Sequence, residues 1–111
     1  LNDVGLASSR ELEEAADGTR IRIAGLAVVR QRPPTAKGVL FLTLEDEFGS
    51  AGLVVPPRVT RRHRHIARTA VLIVATGVVE RVGSVVHLLV RRLEGPPEGL
   101  PAFPVKSRSF R

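Results

Sequence analysis

The chain has 111 residues, a formal net charge of +6, four Phe, and no Cys, Met, Trp or Tyr. That length supports one domain with a modest core, and 43% apolar content with 25% charged residues argues against a disordered tail. Without Cys there is neither a disulfide scaffold nor a thiolate metal site; no apolar run reaches the roughly 18–20 residues of a membrane span, and no secretory signal is present. The start at Leu1 rather than Met reads as a piece cut from a longer protein.

Charge is unevenly spread. Residues 1–19 hold five carboxylates against Arg10 alone, while residues 20–111 hold 16 basic and 6 acidic residues, a net of +10. Fifteen of the 17 cations are Arg. Arg grips phosphate bidentately and stacks on bases, so this balance favours a polyanionic partner. A compositional Arg bias is the competing explanation.

Ser8 and Glu11 have the spacing of a capping box, which predicts a short acidic helix running to about Ala16 and stopped by Asp17-Gly18. Its small apolar content makes residues 1–19 a lead-in rather than a core element. Arg20-Ile21-Arg22-Ile23 then alternates at period two, as a half-buried strand does. The phase breaks at Gly25, since Ile21 and Ile23 are odd-numbered while Leu26 and Val28 are even. That predicts a β-bulge at Gly25 in a first strand ending near Arg32. Pro33 to Gly38 forms a turn.

The second strand runs from Val39 to Asp46. Leu40, Leu42 and Leu44 share one parity and are the natural core face, which leaves Phe41 and Thr43 facing outward. After a hairpin through Gly49, a third strand covers about Ala51 to Val55 and stops at Pro56-Pro57. Residues 57–69 lack strand alternation; Arg58, Arg61, Arg62, His65 and Arg68 make a basic stripe on a helix. Val71 to Glu80 is a fourth strand with a second candidate bulge at Gly77. A tight turn at Gly83-Ser84 leads into a fifth strand, Val85 to Leu93. Residues 95–111 hold four Pro and two Gly and read as an irregular tail.

The order is β-β-β-α-β-β with glycine kinks in the first and fourth strands. That is an all-β layout, a five-stranded Greek-key oligonucleotide-binding (OB) barrel over residues 20–94 with one helix between strands three and four.

The runs Ile23 to Pro33, Thr35 to Val39, Phe41 to Glu47 and Val85 to Leu88 resemble the C-terminal OB domain of bacterial DNA polymerase III α subunits. Within that family they are most similar to the error-prone, translesion DnaE-type branch. The ending Ser107 to Arg111 is similar to the extreme C-terminus of that branch. The resemblance covers about residues 18–111. It implies a cytoplasmic accessory domain of a DNA-directed DNA polymerase, whose catalytic carboxylates lie outside this stretch, so the fragment itself is expected to be non-catalytic. It implies single-stranded DNA and the other domains of the parent polymerase as partners, and translesion accessory proteins as partners of the C-terminal region. The second-strand pattern is also similar to the anticodon-binding OB domain of aspartyl-type tRNA synthetases, where the aromatic at the Phe41 position stacks on a base. In one departure, no aromatic precedes the proline that ends strand three. In another, Thr60 to Ala70 is rich in Arg and His.

The expected nucleic-acid site is therefore Arg30, Arg32, Lys37, Phe41, Thr43, Arg81, His87 and Arg91. Phe41 would stack on a base, the cations would track phosphates, Arg81 would sit in a ligand-clamping turn, and His87 would hydrogen-bond a base or phosphate. Against this stand a core Phe41, solvated arginines and a fold-supporting His87. A protein-interaction reading assigns Arg58, Arg61, Arg62 and Arg68, or the tail, to partner docking; a tRNA-binding domain is the third reading. No metal or cofactor is expected. His63-x-His65 splits a helix face among arginines, and Glu45-Asp46-Glu47 reads as a solvated turn. No phosphate-binding P-loop, nucleophile elbow or zinc-binding HExxH motif is present.

Overall fold

A computed structural model describes residues 5–95. The expectations for the tail, including its resemblance to a native chain end and its docking role, lie outside the described residues. The elements are β1 (Leu6–Ala7), α1 (Ser9–Glu14), β2 (Arg20–Gln31), a 3₁₀ turn (Pro34–Ala36), β3 (Leu40–Asp46), β4 (Gly49–Val55), α2 (Pro57–Arg62), α3 (Arg64–Thr69), β5 (Leu72–Val82) and β6 (Val85–Glu94).

The long strand β2 makes the barrel close. Its first half pairs antiparallel with β5 and its second half with β3, and Leu26 takes part in both ladders. β3 pairs with β4, β4 runs parallel to β6, and β6 pairs with β5. The circuit β2-β3-β4-β6-β5-β2 is a closed five-stranded barrel, with α2 and α3 between its third and fourth strands. This is the OB fold.

The core follows the period-two pattern. Leu40, Leu42 and Leu44 of β3 point inward together with Ala51, Leu53 and Val55 of β4. Ile73, Val79, Leu88, Val90 and Leu93 complete the layer. Phe41 faces out at 38% exposure.

The bulge expected at Gly25 is not there. Pairing with β5 runs unbroken from Arg20 to Leu26, and the register slips instead between Ala27 and Val29. Leu26 and Val28 are exposed, so the core face does not switch where the sequence parity does. Gly25 answers to crowding: a Cβ there would sit 2.8 Å from the carbonyl oxygen of Glu45. At Gly77 the expectation holds. The register slips between Thr76 and Gly77, leaving Arg91 as the extra residue on β6. A side chain at Gly77 would overlap the Leu89 backbone.

Two further differences concern helices. The capping box is present, with the Glu11 N–H donating to Ser8 Oγ and the Ser8 N–H to Glu11 Oε1. The helix ends at Glu14, and Leu12 is buried in the barrel core, so α1 is more than a lead-in. The segment 57–69 is two short helices, because His63 leaves helical geometry at φ −118°, ψ 43°.

Candidate nucleic-acid interface

Outward residues of β3, β4 and β6 line up in two neighbouring rows. In one, Gln31 faces Phe41, Phe41 faces Val54, and Val54 is in register with Leu89. In the other, Val29 faces Thr43, Thr43 faces Gly52, and His87 pairs with Glu80 on β5. Gly52 is the gap between Thr43 and His87: a Cβ there would approach the His87 Cβ at 4.0 Å. The result is a shallow polar trough beside a row carrying one aromatic ring. Val54, directly opposite Phe41, adds no second aromatic to the row.

His87 Nε2 lies 2.6 Å from Glu80 Oε1 across the β5–β6 ladder. The pair ties its imidazole to the barrel wall while the side chain stays partly exposed. Arg91 is exposed on β6, two residues beyond Leu89. Lys37 is exposed in the loop between β2 and β3, at the left-handed φ of 55° that closes the 3₁₀ turn.

Two of the expected cations are committed to the fold. Arg30 Nε donates to the Ala67 carbonyl at 2.6 Å, and its Nη2 donates to the Ala70 carbonyl at 2.5 Å. It thereby satisfies the free carbonyls at the C-terminus of α3, where a cation also complements the helix dipole. Arg81 Nη2 donates to the carbonyls of Glu13 and Ala15 at 2.5 and 2.8 Å, and the Arg81 N–H donates to Asp17 Oδ1 at 2.8 Å. It fastens the end of α1 to β5, rather than standing free in the hairpin turn.

Arg32 has different company. It lines a cleft of about 260 Å³ with Gly38, Pro57, Thr60, Arg61, Arg64 and Arg68. Arg61 and Arg68 were expected on the partner-docking stripe with Arg58 and Arg62; the structure brings them to Arg32 and leaves Arg58 and Arg62 outside the cleft lining. Arg64 was passed over in the sequence. Its signal was there, three residues after Arg61 and four before Arg68, a helical spacing that shares a face.

Arg62 lies instead beside His63, with Arg92 and Glu94 at the end of β6. Burial first, then the charges of Arg62 and Arg92, hold the His63 imidazolium pKa below its ordinary 6.5, against an opposing pull from Glu94. Asp46 is the structured member of the acidic turn. It accepts from the Ser9 N–H and Oγ at 2.7 Å each, and from the N–H groups of Phe48 and Gly49. Burial alone would raise its pKa, but these hydrogen bonds outweigh it and hold the carboxyl below 3.8. Among the described residues no cluster of three His or carboxylate groups could hold a metal, and no helix is long and apolar enough to cross a membrane.

A closed five-stranded Greek-key barrel with helices between its third and fourth strands defines the class: an OB-fold domain. Its sequence homologues are error-prone DNA polymerases. The protein of that name from Anaeromyxobacter dehalogenans is 43% identical over 103 residues, 93% of this chain and 9% of the relative. That from Rhodopirellula baltica is 39% identical over 111 residues, all of this chain and 10% of the relative. The chain thus spans about a tenth of the length of the curated relatives it matches. No protein-family profile matches it. Among solved structures, asparaginyl-tRNA synthetase from Pyrococcus horikoshii superposes with a TM-score of 0.66 at 21% identity, over 79% of this chain and 22% of that one. That likeness bears on the fold alone.

Proposed function

We propose that this domain binds single-stranded DNA non-specifically within an error-prone DNA polymerase, and that the parent chain carries the nucleotidyl-transfer chemistry elsewhere. The observation that carries the reading is Phe41. The ring stands outward at 38% exposure on a strand whose Leu neighbours are all buried, beside the Thr43–Gly52–His87 trough. An exposed aromatic on an OB barrel face stacks on any base, and exposed cations hold the backbone without reading sequence. Arg32, Lys37 and Arg91 are the exposed cations available for that work. Arg30 and Arg81 support the fold instead, and His87, tied to Glu80, offers at most its remaining edge. A role in DNA synthesis and repair would place the protein in the cytoplasm.

A titration of labelled oligothymidine by fluorescence anisotropy at two salt concentrations tests this. Binding should weaken steeply with salt, and Phe41→Ala should cost about 1–3 kcal/mol of affinity. Salt-independent binding, or a Phe41→Ala variant that binds as tightly as the parent, would refute the reading.

A docking role for α2–α3 toward a protein partner is the second reading. It draws on the exposed Arg58 and Arg62. An interface built on an apolar core would respond less to salt than a phosphate-bound strand.

A further inference from the structure

The cleft between the β2–β3 loop and the paired helices has a composition that the barrel face does not explain. Arg32 enters from the end of β2, Arg61 from α2, and Arg64 and Arg68 from α3. All four are exposed, and no carboxylate lines the cleft among the described residues. Four guanidinium groups around about 260 Å³ repel one another, and that repulsion is relieved by an anion. Gly38 shapes the wall. Its φ of +90° turns the loop inward, and a Cβ there would press on Pro57 Cγ at 3.3 Å. Among the described residues the apolar lining is Gly38 and Pro57, too little for the apolar centre that a protein interface requires.

Position favours a nucleic-acid strand over an acidic peptide. Arg32 follows Gln31, and Gln31 faces Phe41 across the β2–β3 ladder. The cleft therefore begins one residue along the chain from the Phe41 row, on the opposite side-chain parity, at the end of the barrel where α2 and α3 pack. Planar guanidinium forks, one from α2 and two from α3, suit bidentate contact with the non-bridging oxygens of phosphodiesters.

We propose that this four-arginine cleft is a second phosphodiester-binding site, which takes the backbone of a single strand as it leaves the Phe41 face. The proposal rests on the single-strand reading above and lengthens its footprint. Arg61, Arg64 and Arg68 are its phosphate-binding residues, and Arg32 joins it to the barrel face.

The test uses the whole chain with oligothymidines about 5 and about 15 nucleotides long, spanning the range of OB site sizes. Anisotropy is read across a salt series for the parent, for Phe41→Ala and for Arg61→Ala/Arg64→Ala/Arg68→Ala, with circular-dichroism melts to confirm folding. The triple variant should lose at least tenfold in affinity for the long strand, and its salt slope should drop by about 2 units. Its affinity for the short strand should be unchanged, whereas Phe41→Ala should weaken both. Lysine at the same three positions should restore most of the slope.

If the triple variant binds the long strand as the parent does while Phe41→Ala weakens it, the cleft proposal falls and the barrel-face reading survives. If neither variant changes binding, both fall. Equal losses on short and long strands would also overturn the cleft as a separate site. So would displacement of the long strand by polyglutamate as effectively as by unlabelled oligothymidine, which would make the cleft a seat for acidic protein.

Discussion

Arg30 and Arg32 sit two residues apart and look alike in the sequence, yet the structure gives them different work. Arg30 closes the C-terminus of α3 by donating to carbonyls 37 and 40 residues away. Nothing local encodes that partnership, so a reading from spacing alone could only count it among the cations. Hydrogen bonds from a charged group contribute about 1.5–3 kcal/mol, so Arg30→Ala should lower unfolding stability by that amount in a urea titration. It should leave the salt dependence of any DNA binding intact. A drop in salt slope without loss of stability would restore Arg30 to the phosphate track. Phe41 was legible for the opposite reason. Strand side chains alternate strictly, so three leucines at even positions fixed its direction without any knowledge of partners.

Among the elements, α1 shows how a cap is easier to read than a burial. Ser8 and Glu11 announce the helix start through four residues of local chemistry. Leu12 is one apolar residue among acidic ones, and its place in the core depends on where the barrel mouth lies. Asp46 holds the helix there, receiving the Ser9 N–H at the end of α1 where a negative charge is favoured. Because folding lowers the Asp46 pKa below 3.8, its contribution to stability is complete above the unfolded value and is lost as pH falls through the folded one. Urea midpoints should therefore decline below about pH 4, and Asp46→Asn should flatten part of that decline while lowering stability at neutral pH. Parallel acid profiles for the two proteins would contradict this. The bulges divide similarly. At Gly77 the glycine and the register slip coincide, so the sequence marks the bulge. At Gly25 the glycine serves a close strand crossing, and the slip falls three residues on at Val28, where nothing in the sequence signals it.

At the scale of the whole molecule, strand order and closure were legible because alternation, proline stops and glycine positions all pointed to one topology. The assembly of the arginine cleft was not, since it joins residues on three elements that only the closed barrel brings together. One consequence of that closure concerns solubility. β3 parts from β2 beyond Leu26, so the Arg20–Gly25 half of β2 has β5 on one side and, on the other, only the two-residue parallel contact that β1 makes at Arg22 and Ile23. A strand flank left open in this way is a template for pairing with a neighbouring molecule. The β1–α1 segment works as a stopper on that seam: β1 occupies the flank, and Leu12 fills the barrel mouth beside it. Deleting residues 1–15 should therefore increase self-association relative to the full chain, visible as concentration-dependent growth in light scattering. A shortened chain that associates no more than the full chain at high concentration would show that the barrel guards its own seam.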